Sequence, residues 1–244
     1  MLRSRTYLTE RIINMKKIIS LILAILCICA VFCSCSKNKA EETSTTTASA
    51  AENNNENAVY TSGDYNYVKL DDGTAKIVKY NKSGESDLDI PNSLDGLKVT
   101  VIGEHAFTEE QNITKVRLPR YLTKIESYAF NKSTVGYVWF HQINDDTATI
   151  IEPYAFSECG NLKQVILSKS VKRIEAQAFH LCSVPRYIKF YVDPEFIGAD
   201  AFNFGRSTDK LEFWHVGDIS NYNNLSSYAE PRNIPLVLDK NTAE

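Results

Sequence analysis

The sequence predicts a solenoid, in which short coils of the chain stack on one another and share one continuous core. The first observation is an Ala-Phe pair, with an isoleucine four residues before its alanine, that recurs five times and ends at Phe107, Phe130, Phe156, Phe179 and Phe202. These phenylalanines are separated by 23, 26, 23 and 23 residues. The second observation is a short alternating apolar segment about seven residues after each pair. A coil of this length can bury its apolar side chains only against neighbouring coils, so the interval predicts a stacked repeat fold.

The N-terminal residues 1–35 are predicted to be an export signal. From Met15, an alternative start, the chain reads "MKKIISLILAILCICAVFCSC", a basic region followed by an apolar run, which is the pattern of a signal peptide. The end of this segment resembles the lipobox of bacterial lipoproteins, with Ser34 before Cys35 and with Phe32 where leucine is usual. We therefore expect Cys35 to carry lipid and to anchor the chain. The alternative is an uncleaved membrane anchor.

Residues 36–58 are predicted to be a flexible tether, because they contain no aromatic residue and show no apolar periodicity. Five basic and one acidic side chain lie in residues 1–35, so the formal net charge of −3 for the whole chain leaves −7 on residues 36–244. An acidic exported domain is poorly suited to neutralising phosphates, so nucleic acid is not an expected partner.

Three regions follow the tether. Residues 59–98 are predicted to form an N-terminal cap, in which Asp72 and Gly73 suit the turn of a β-hairpin. Residues 99–216 contain the repeats, and the longest interval between them holds an insertion around "NDDT". Residues 217–244 are predicted to cap the other end and to contribute a last strand in "RNIPLVLDK".

The alternation within the repeats predicts which side chains face the core. One set of apolar positions lies in the alternating segments: Val116, Leu118, Val138, Phe140, Val165, Leu167, Ile188, Phe190, Leu211 and Phe213. A second set precedes several of the Ala-Phe pairs: Val99, Ile102, Leu122, Ile125, Val171 and Ile174. The phenylalanines of the Ala-Phe pairs are expected to stack in a ladder through the core.

The segment "LKQVILSKSVKRIEAQAFHLC" resembles the leucine-rich repeat of the BspA-like (Treponema pallidum-type) bacterial surface proteins, L-x-x-V-x-I-P-x-x-V-x-x-I-x-x-x-A-F-x-x-C. The matching residues here are Leu162, Val165, Leu167, Val171, Ile174, Ala178, Phe179 and Cys182. The resemblance covers roughly residues 63–213, and His141, Ser168 and Tyr191 stand where proline is usual. It implies a leucine-rich-repeat solenoid, a β-rich, α/β horseshoe-like superhelix with short strands and short helical turns, preceded by an N-terminal β-hairpin cap.

The resemblance also implies a function: adhesion to host or neighbouring-cell proteins, without catalysis, by an exported protein on the outer face of the bacterial cell membrane. No histidine has a cysteine, histidine or carboxylate partner at a convincing metal-ligand spacing, and no G-x-S-x-G motif occurs. We therefore expect neither an enzyme nor a bound metal or cofactor, and we expect a monomer.

The outward positions of the alternating segments predict a binding face. Several carry large aromatic side chains, which offer contact area together with a polar tip and suit either a partner protein or sugar rings. The candidate ligand-binding residues are Arg117, Tyr137, Trp139, His141, Tyr187, Lys189, Tyr191 and Trp214. The expected ligand is an extracellular protein, and the alternative is a glycan, bound as part of a polysaccharide-capture system. A third interpretation is aromatic pairing between strands that only stabilises the sheet.

Cys159 and Cys182 are the two cysteines outside the predicted signal and lipid site. Each lies three residues after a repeat phenylalanine, so they take equivalent places on adjacent coils, about 4.8 Å apart. That separation would permit a disulfide in an exported protein. The favoured interpretation is a pair of free thiols that pack as small apolar side chains.

Overall fold

The computed structural model describes residues 58–82, 85–142, 147–205 and 210–240. The predicted signal with Cys35, all but the last residue of the predicted tether, and residues 143–146 of the insertion lie outside this part of the chain. Within the described ranges, no helix combines the length and the apolar character that a membrane span requires.

The described chain consists mainly of short strands. In chain order they are β1 (Val59–Ser62), β2 (Tyr65–Lys69), β3 (Ala75–Tyr80), β4 (Asp87–Asp89), β5 (Ser93–Leu94), β6 (Leu97–Ile102), β7 (Lys115–Arg117), β8 (Lys124–Ile125), β9 (Tyr137–Trp139), β10 (Thr149–Ile151), β11 (Gln164–Ile166), β12 (Val171–Ile174), β13 (Tyr187–Phe190), β14 (Phe196–Ile197), β15 (Glu212–His215) and β16 (Leu236–Leu238). One α-helix, α1 (Asn223–Ala229), lies between 3-10 turns at Ile219–Asn221 and Glu230–Arg232.

The strands form two sheets. The first has the order β1-β2-β3-β6-β8-β10-β12-β14, with β5 beside β6, and the second has the order β4-β7-β9-β11-β13-β15-β16. Each repeat adds one strand to each sheet, and the strands of successive repeats are parallel. In the second sheet, Val116 is level with Val138, which is level with Val165 and then Ile188. Equivalent positions of the repeats therefore lie side by side, as a solenoid requires.

Both predicted sets of apolar positions are buried, which confirms the alternation derived from the sequence. The predicted phenylalanine ladder is also present. The ring centroids of Phe107 and Phe130 are 4.8 Å apart, those of Phe130 and Phe156 4.9 Å, and those of Phe156 and Phe179 5.0 Å. Phe202 continues the ladder at 5.3 Å. The alanine before each ring is buried too, and only a small side chain leaves room for the coils to approach this closely.

The corners of the coils depend on residues with left-handed backbone conformation. The residue before each Ala-Phe pair has a φ between 55° and 62°, and so does a second residue two places after four of the phenylalanines, with a φ between 53° and 60°. These turns direct N–H groups toward the next coil: Phe130 donates to the carbonyl of Ala155, and Lys132 to that of Ser157. A helical turn would instead use such donors within one coil. The described repeats accordingly turn without helix where the resemblance implied short helical turns.

The two ends of the stack are closed differently. At the N-terminal end, β2 and β3 form the predicted hairpin, whose Gly73 N–H donates to the carbonyl of Leu70. At the C-terminal end, β16 pairs with β15 and supplies the predicted last strand. Helix α1 covers the final coil there.

Tyr228 of α1 takes over a contact that a further coil would make. The N–H of each earlier ladder phenylalanine donates to a carbonyl of the following coil, whereas the N–H of Phe202 donates to the Tyr228 hydroxyl at 3.0 Å. A buried amide that would otherwise lack a partner is thereby satisfied.

Candidate functional site

The candidate site is the outer side of the second sheet, which we call the strand face. The strand register places its outward side chains in two rows. One row runs Asp87, Lys115, Tyr137, Gln164, Tyr187 and Glu212. The other row runs Asp89, Arg117, Trp139, Ile166, Lys189 and Trp214. Six of the eight predicted ligand-binding residues therefore lie on four strands of the second sheet, β7, β9, β13 and β15, in positions that the repeat itself fixes.

The N-terminal end of the strand face is electrostatically neutralised. Arg117 Nη1 lies 3.1 Å from Asp87 and 3.3 Å from Asp89, and Lys115 Nζ lies 3.5 Å from Asp87. The guanidinium of Arg117 also lies over the ring of Trp139, 5.1 Å from its centroid. Arg117 is therefore already engaged by two carboxylates and an aromatic ring, which leaves it a minor contributor of free charge.

The aromatic side chains of the strand face form two separate clusters. Tyr137 and Trp139 are tilted against each other at 6.3 Å, and Tyr187 and Trp214 stack at 4.4 Å with an interplanar angle of 14°. All four are only partly buried. Aromatic pairing between strands thus occurs at Tyr187 and Trp214, and it leaves part of each cluster exposed to a ligand.

Hydrogen bonds hold the second cluster in place. Gln164 Nε2 donates to the Tyr187 hydroxyl at 2.6 Å, and Trp214 Nε1 donates to a Glu212 carboxylate oxygen at 2.7 Å. In the first cluster, Trp139 Nε1 is buried and has no hydrogen-bond partner among the described residues. The second cluster is therefore a preorganised surface, while the first retains an unused donor.

Lys189 has a structural role that the sequence does not reveal. Its Nζ lies 2.5 Å from a carboxylate oxygen of Asp239, and the two side chains are only 12% and 5% exposed. Burial opposes the charge of Lys189, but hydrogen bonds to Asp239 and Tyr191 outweigh it and raise the pKa of the lysine above its ordinary value. Lys189 therefore helps to attach the C-terminal segment and offers little free charge to a ligand.

The remaining predicted residues lie just beyond the strands. His141 is exposed after β9, and Tyr191 is half-buried with the ammonium of Lys189 4.6 Å from its ring centroid. Ser168, the outward position in the intervening coil, is buried instead and hydrogen-bonded to Ser170. The third outward position is thus less regular than the two rows.

A groove of about 410 Å³ borders the strand face where the strands of the second sheet begin. Its lining includes Tyr137, three apolar residues and three exposed cations, and we call it the basic groove. The cations are Lys163, Arg186 and Lys210. These cations are not among the predicted ligand-binding residues, although each is the first residue of an alternating segment: "KQVILS", "RYIKFY" and "KLEFWH".

A second aromatic row, also missed from the sequence, follows the coil corners. The rings of His105 and Tyr128 stack at 5.5 Å, and those of Tyr128 and Tyr154 at 5.1 Å with an interplanar angle of 1°. His180 meets Tyr154 edge-on at 6.0 Å. The sequence indicates this row by the aromatic residue directly before three of the Ala-Phe pairs, which is histidine in "HAF" and tyrosine in the two copies of "YAF". This row bridges successive coils along the corner.

Cys159 and Cys182 are free thiols in the structure, and both are buried. The Sγ of Cys159 donates to the carbonyl of Phe130 at 3.3 Å, and that of Cys182 to the carbonyl of Phe156 at 2.7 Å. Burial raises the pKa of the Cys182 thiol well above its ordinary value. A buried thiol with a raised pKa is a poor nucleophile, so its role here is packing.

Metal chemistry has no evident location in the described ranges, which contain no group of three or more histidine, cysteine, aspartate or glutamate side chains able to hold an ion. The site offers exposed aromatic side chains, an apolar groove and exposed cations. These features suit non-covalent contact with another molecule.

Several solved structures resemble parts of this chain. A leucine-rich repeat protein from Bacteroides capillosus is 30% identical over 47% of this chain and 86% of its own, with a TM-score of 0.39. A leucine rich cell surface protein from Faecalibacterium prausnitzii is 22% identical over 64% of this chain and 54% of its own, with a TM-score of 0.37. The T. pallidum leucine-rich repeat protein is 18% identical over 72% and 97%, with a TM-score of 0.47. No curated protein matches the chain significantly.

The family is decided by the repeat itself. The family model described as "BspA type Leucine rich repeat region" matches six copies, over residues 78–208 and 147–228. These matches span more than half of the 244 residues and include every Ala-Phe coil of the two sheets. The chain therefore belongs to the BspA-type leucine-rich-repeat family.

Proposed function

We propose that this protein binds another protein at the bacterial cell surface, in adhesion to a host or a neighbouring cell, and that the strand face is its binding surface. The observation that carries the proposal is the pair of aromatic clusters, Tyr137 with Trp139 and Tyr187 with Trp214, partly exposed on the same face of the second sheet. Aromatic residues dominate the energetics of protein interfaces, and a regular sheet holds them with little loss of conformational entropy on binding.

The predicted lipid anchor completes the proposal. The basic and apolar residues before Cys35 support export and lipid attachment, and the acidic charge of residues 36–244 suits a role away from nucleic acid. Replacing Cys35 by alanine should move the protein from the membrane fraction of expressing bacteria to the soluble fraction. Retention in the membrane would instead identify residues 18–32 as an uncleaved anchor.

The binding surface is tested with the double variant Trp139→Ala, Trp214→Ala. The full-length chain, purified in detergent, is applied to parallel arrays of extracellular-matrix proteins and of glycans. We expect binding to at least one matrix protein, and we expect the affinity of the double variant to be at least tenfold lower. Aromatic side chains that become buried in an interface are typical hot spots. Circular dichroism and thermal unfolding establish that the variant is folded.

A matched control is available on the other sheet. Phe196 lies in β14 of the first sheet and is 38% exposed, so Phe196→Ala removes a comparable aromatic surface from outside the strand face. This control should retain full binding. A folded double variant that binds like the control would refute the strand face as the site. Binding confined to glycans, and lost in the double variant, would assign the face to the glycan alternative.

A further inference from the structure

We propose that the basic groove binds an acidic segment of the partner protein, with carboxylates on either side of an apolar side chain. This inference rests on the proposed function and assigns ligand chemistry to a different set of residues. The cations of the groove come from three successive coils: Lys163 before β11, Arg186 before β13 and Lys210 before β15.

The strand register places Lys163 level with Arg186, and it places Lys210 one residue before the position level with Arg186. The N–H of Arg186 donates to the carbonyl of Lys163 at 2.9 Å, and the N–H of Glu212 donates to the carbonyl of Arg186 at 3.3 Å. Neighbouring strands of a sheet lie about 4.8 Å apart, so the row advances by one strand spacing per coil. The groove therefore presents a line of positive charge along the direction in which the coils stack.

The three cations have no carboxylate partner among the described residues. In the part of the chain that the structure describes, none of the three takes part in an ion pair, whereas other cations of the two sheets do: Lys76, Lys115, Arg117, Lys124, Arg173 and Lys189. The acidic residue that follows Lys210 most closely in the sheet, Glu212, is engaged by Trp214 Nε1. Among the described aromatic rings, these cations approach only that of Tyr137, whose centroid lies 5.9 Å from Lys163 Nζ.

An unneutralised line of positive charge stands out in a chain with a net charge of −7 on residues 36–244. Such a line repels its own members and is stabilised when a ligand supplies the missing negative charge. Outside the groove the protein carries a net negative charge. A large polyanion such as nucleic acid would also come close to that surface and be repelled by it. Charge complementarity thus points to a short acidic segment.

The floor of the groove favours a protein segment over an acidic sugar. Leu162, Val184 and Pro185 line it together with the ring of Tyr137, and the exposed lining is mainly apolar. A sugar ring requires hydrogen-bonding groups around its hydroxyls, which this floor does not supply, whereas a leucine-like side chain is desolvated there favourably. The rim charges would then pair with carboxylates on either side.

The test uses a fluorescent nonapeptide, Gly-Ser-Glu-Glu-Leu-Glu-Glu-Ser-Gly, and its counterpart with glutamine in place of every glutamate. Fluorescence anisotropy measures their binding to the full-length chain in detergent. We expect the acidic peptide to bind, and the glutamine peptide to bind about tenfold or more weakly, since several exposed ion pairs each add a few-fold. Raising the salt concentration should weaken only the acidic peptide, because exposed charges are screened.

The decisive variant is Lys163→Gln, Arg186→Gln, Lys210→Gln. It should reduce binding of the acidic peptide to the level of the glutamine peptide. Its matched control is Lys76→Gln, Lys124→Gln, Arg173→Gln, which removes two lysines and one arginine from ion pairs on the first sheet. The control makes the same change in net charge and should bind the acidic peptide like the unchanged chain.

Three outcomes would overturn the proposal: equal affinity for the two peptides, equal losses in the groove variant and its control, or binding of polygalacturonate but not of the acidic peptide. The last would identify an acidic glycan as the ligand. The proposed function is judged separately, by the Trp139 and Trp214 variant on the matrix-protein array. A matrix protein that binds the groove variant normally and the tryptophan variant poorly would refute the groove inference and leave the strand face intact.

Discussion

The outer faces of the two sheets differ in how completely their charged groups satisfy one another. On the first sheet, cations of β3, β8 and β12 each lie within 3.4 Å of a glutamate oxygen: Lys76 with Glu126, Lys124 with Glu152 and Arg173 with Glu175. On the second sheet, ion pairs occur near the two ends, and aromatic clusters and unpaired cations lie between and beside them. The same repeat thus produces one face whose cations are paired with carboxylates and one face with unpaired cations. The face with unpaired cations is the one suited to a ligand.

The glutamates of the first face also join neighbouring coils. A Glu126 carboxylate oxygen accepts the N–H of Glu104 at 3.0 Å, and Glu152 accepts that of Ser127 at 3.1 Å. The equivalent donor for Glu175 would be Pro153, which has no N–H, and Glu175 binds Arg173 instead. These side chains are occupied by the fold itself, so the first face has little left to offer a partner.

Phe156→Ala should have the largest effect on both faces, because it removes the middle ring of the ladder beneath them. Phe156 is fully buried between Phe130 and Phe179. Truncating a buried phenylalanine costs about 3–5 kcal/mol, so we expect a loss of this size in the free energy of unfolding, measured by denaturant titration. Phe196→Ala, at an exposed position, is the control and should cost far less. A loss below about 1 kcal/mol for Phe156→Ala would contradict a shared core.

Much of this comparison could be predicted from the sequence, because the alternation within each repeat determines which side chains point outward. The buried apolar positions and the phenylalanine ladder follow from the repeat, and the N-terminal hairpin from its Asp72-Gly73 turn. The pairing partners do not, because they are distant in the chain: Asp239 lies 50 residues after Lys189, and Asp87 lies 30 residues before Arg117. The local pattern shows that a lysine faces outward. Only the stacking of the coils shows whether a carboxylate on another coil lies close enough to form an ion pair with it.

A second change affects only the C-terminal end of the strand face. Asp239→Asn leaves the largely buried ammonium of Lys189 without its counter-charge. Breaking a buried ion pair by removing one partner costs about 3 kcal/mol, and the cost should appear in β16, which ends at the residue before Asp239. Hydrogen exchange should show faster opening of β16 with little change in β9. Unaltered protection of β16 would mean that the ion pair does not attach this strand.

The pH dependence of that ion pair has a defined direction. Because the folded state raises the pKa of Lys189, its contribution is fully present below the ordinary lysine pKa of about 10.4 and is lost as pH rises through the higher folded pKa. The difference in unfolding free energy between the unchanged chain and Asp239→Asn, as set by Lys189, should therefore stay constant from about pH 6 to pH 9 and shrink only above about pH 10.

The smallest effects on stability are expected from the exposed charges of the two faces. On the outer face of the first sheet, Glu152→Gln removes the ion-pair partner of Lys124. We expect the free energy of unfolding to fall by up to about 1 kcal/mol, the range for partly exposed ion pairs. In the basic groove, the triple variant Lys163→Gln, Arg186→Gln, Lys210→Gln removes three charges that form no ion pair with the described residues. Its free energy of unfolding should remain within about 0.5 kcal/mol of the unchanged chain.

Denaturant titration of both variants in low salt and in high salt measures these differences. High salt should reduce the effect of Glu152→Gln, because it screens the attraction that the substitution removes. In low salt the groove variant should if anything be stabilised, since three like charges no longer repel one another. A groove variant that is as destabilised as Glu152→Gln would show that its cations hold the coils together. Unchanged stability would instead mean that these three cations, on three successive coils, are available to bind a ligand.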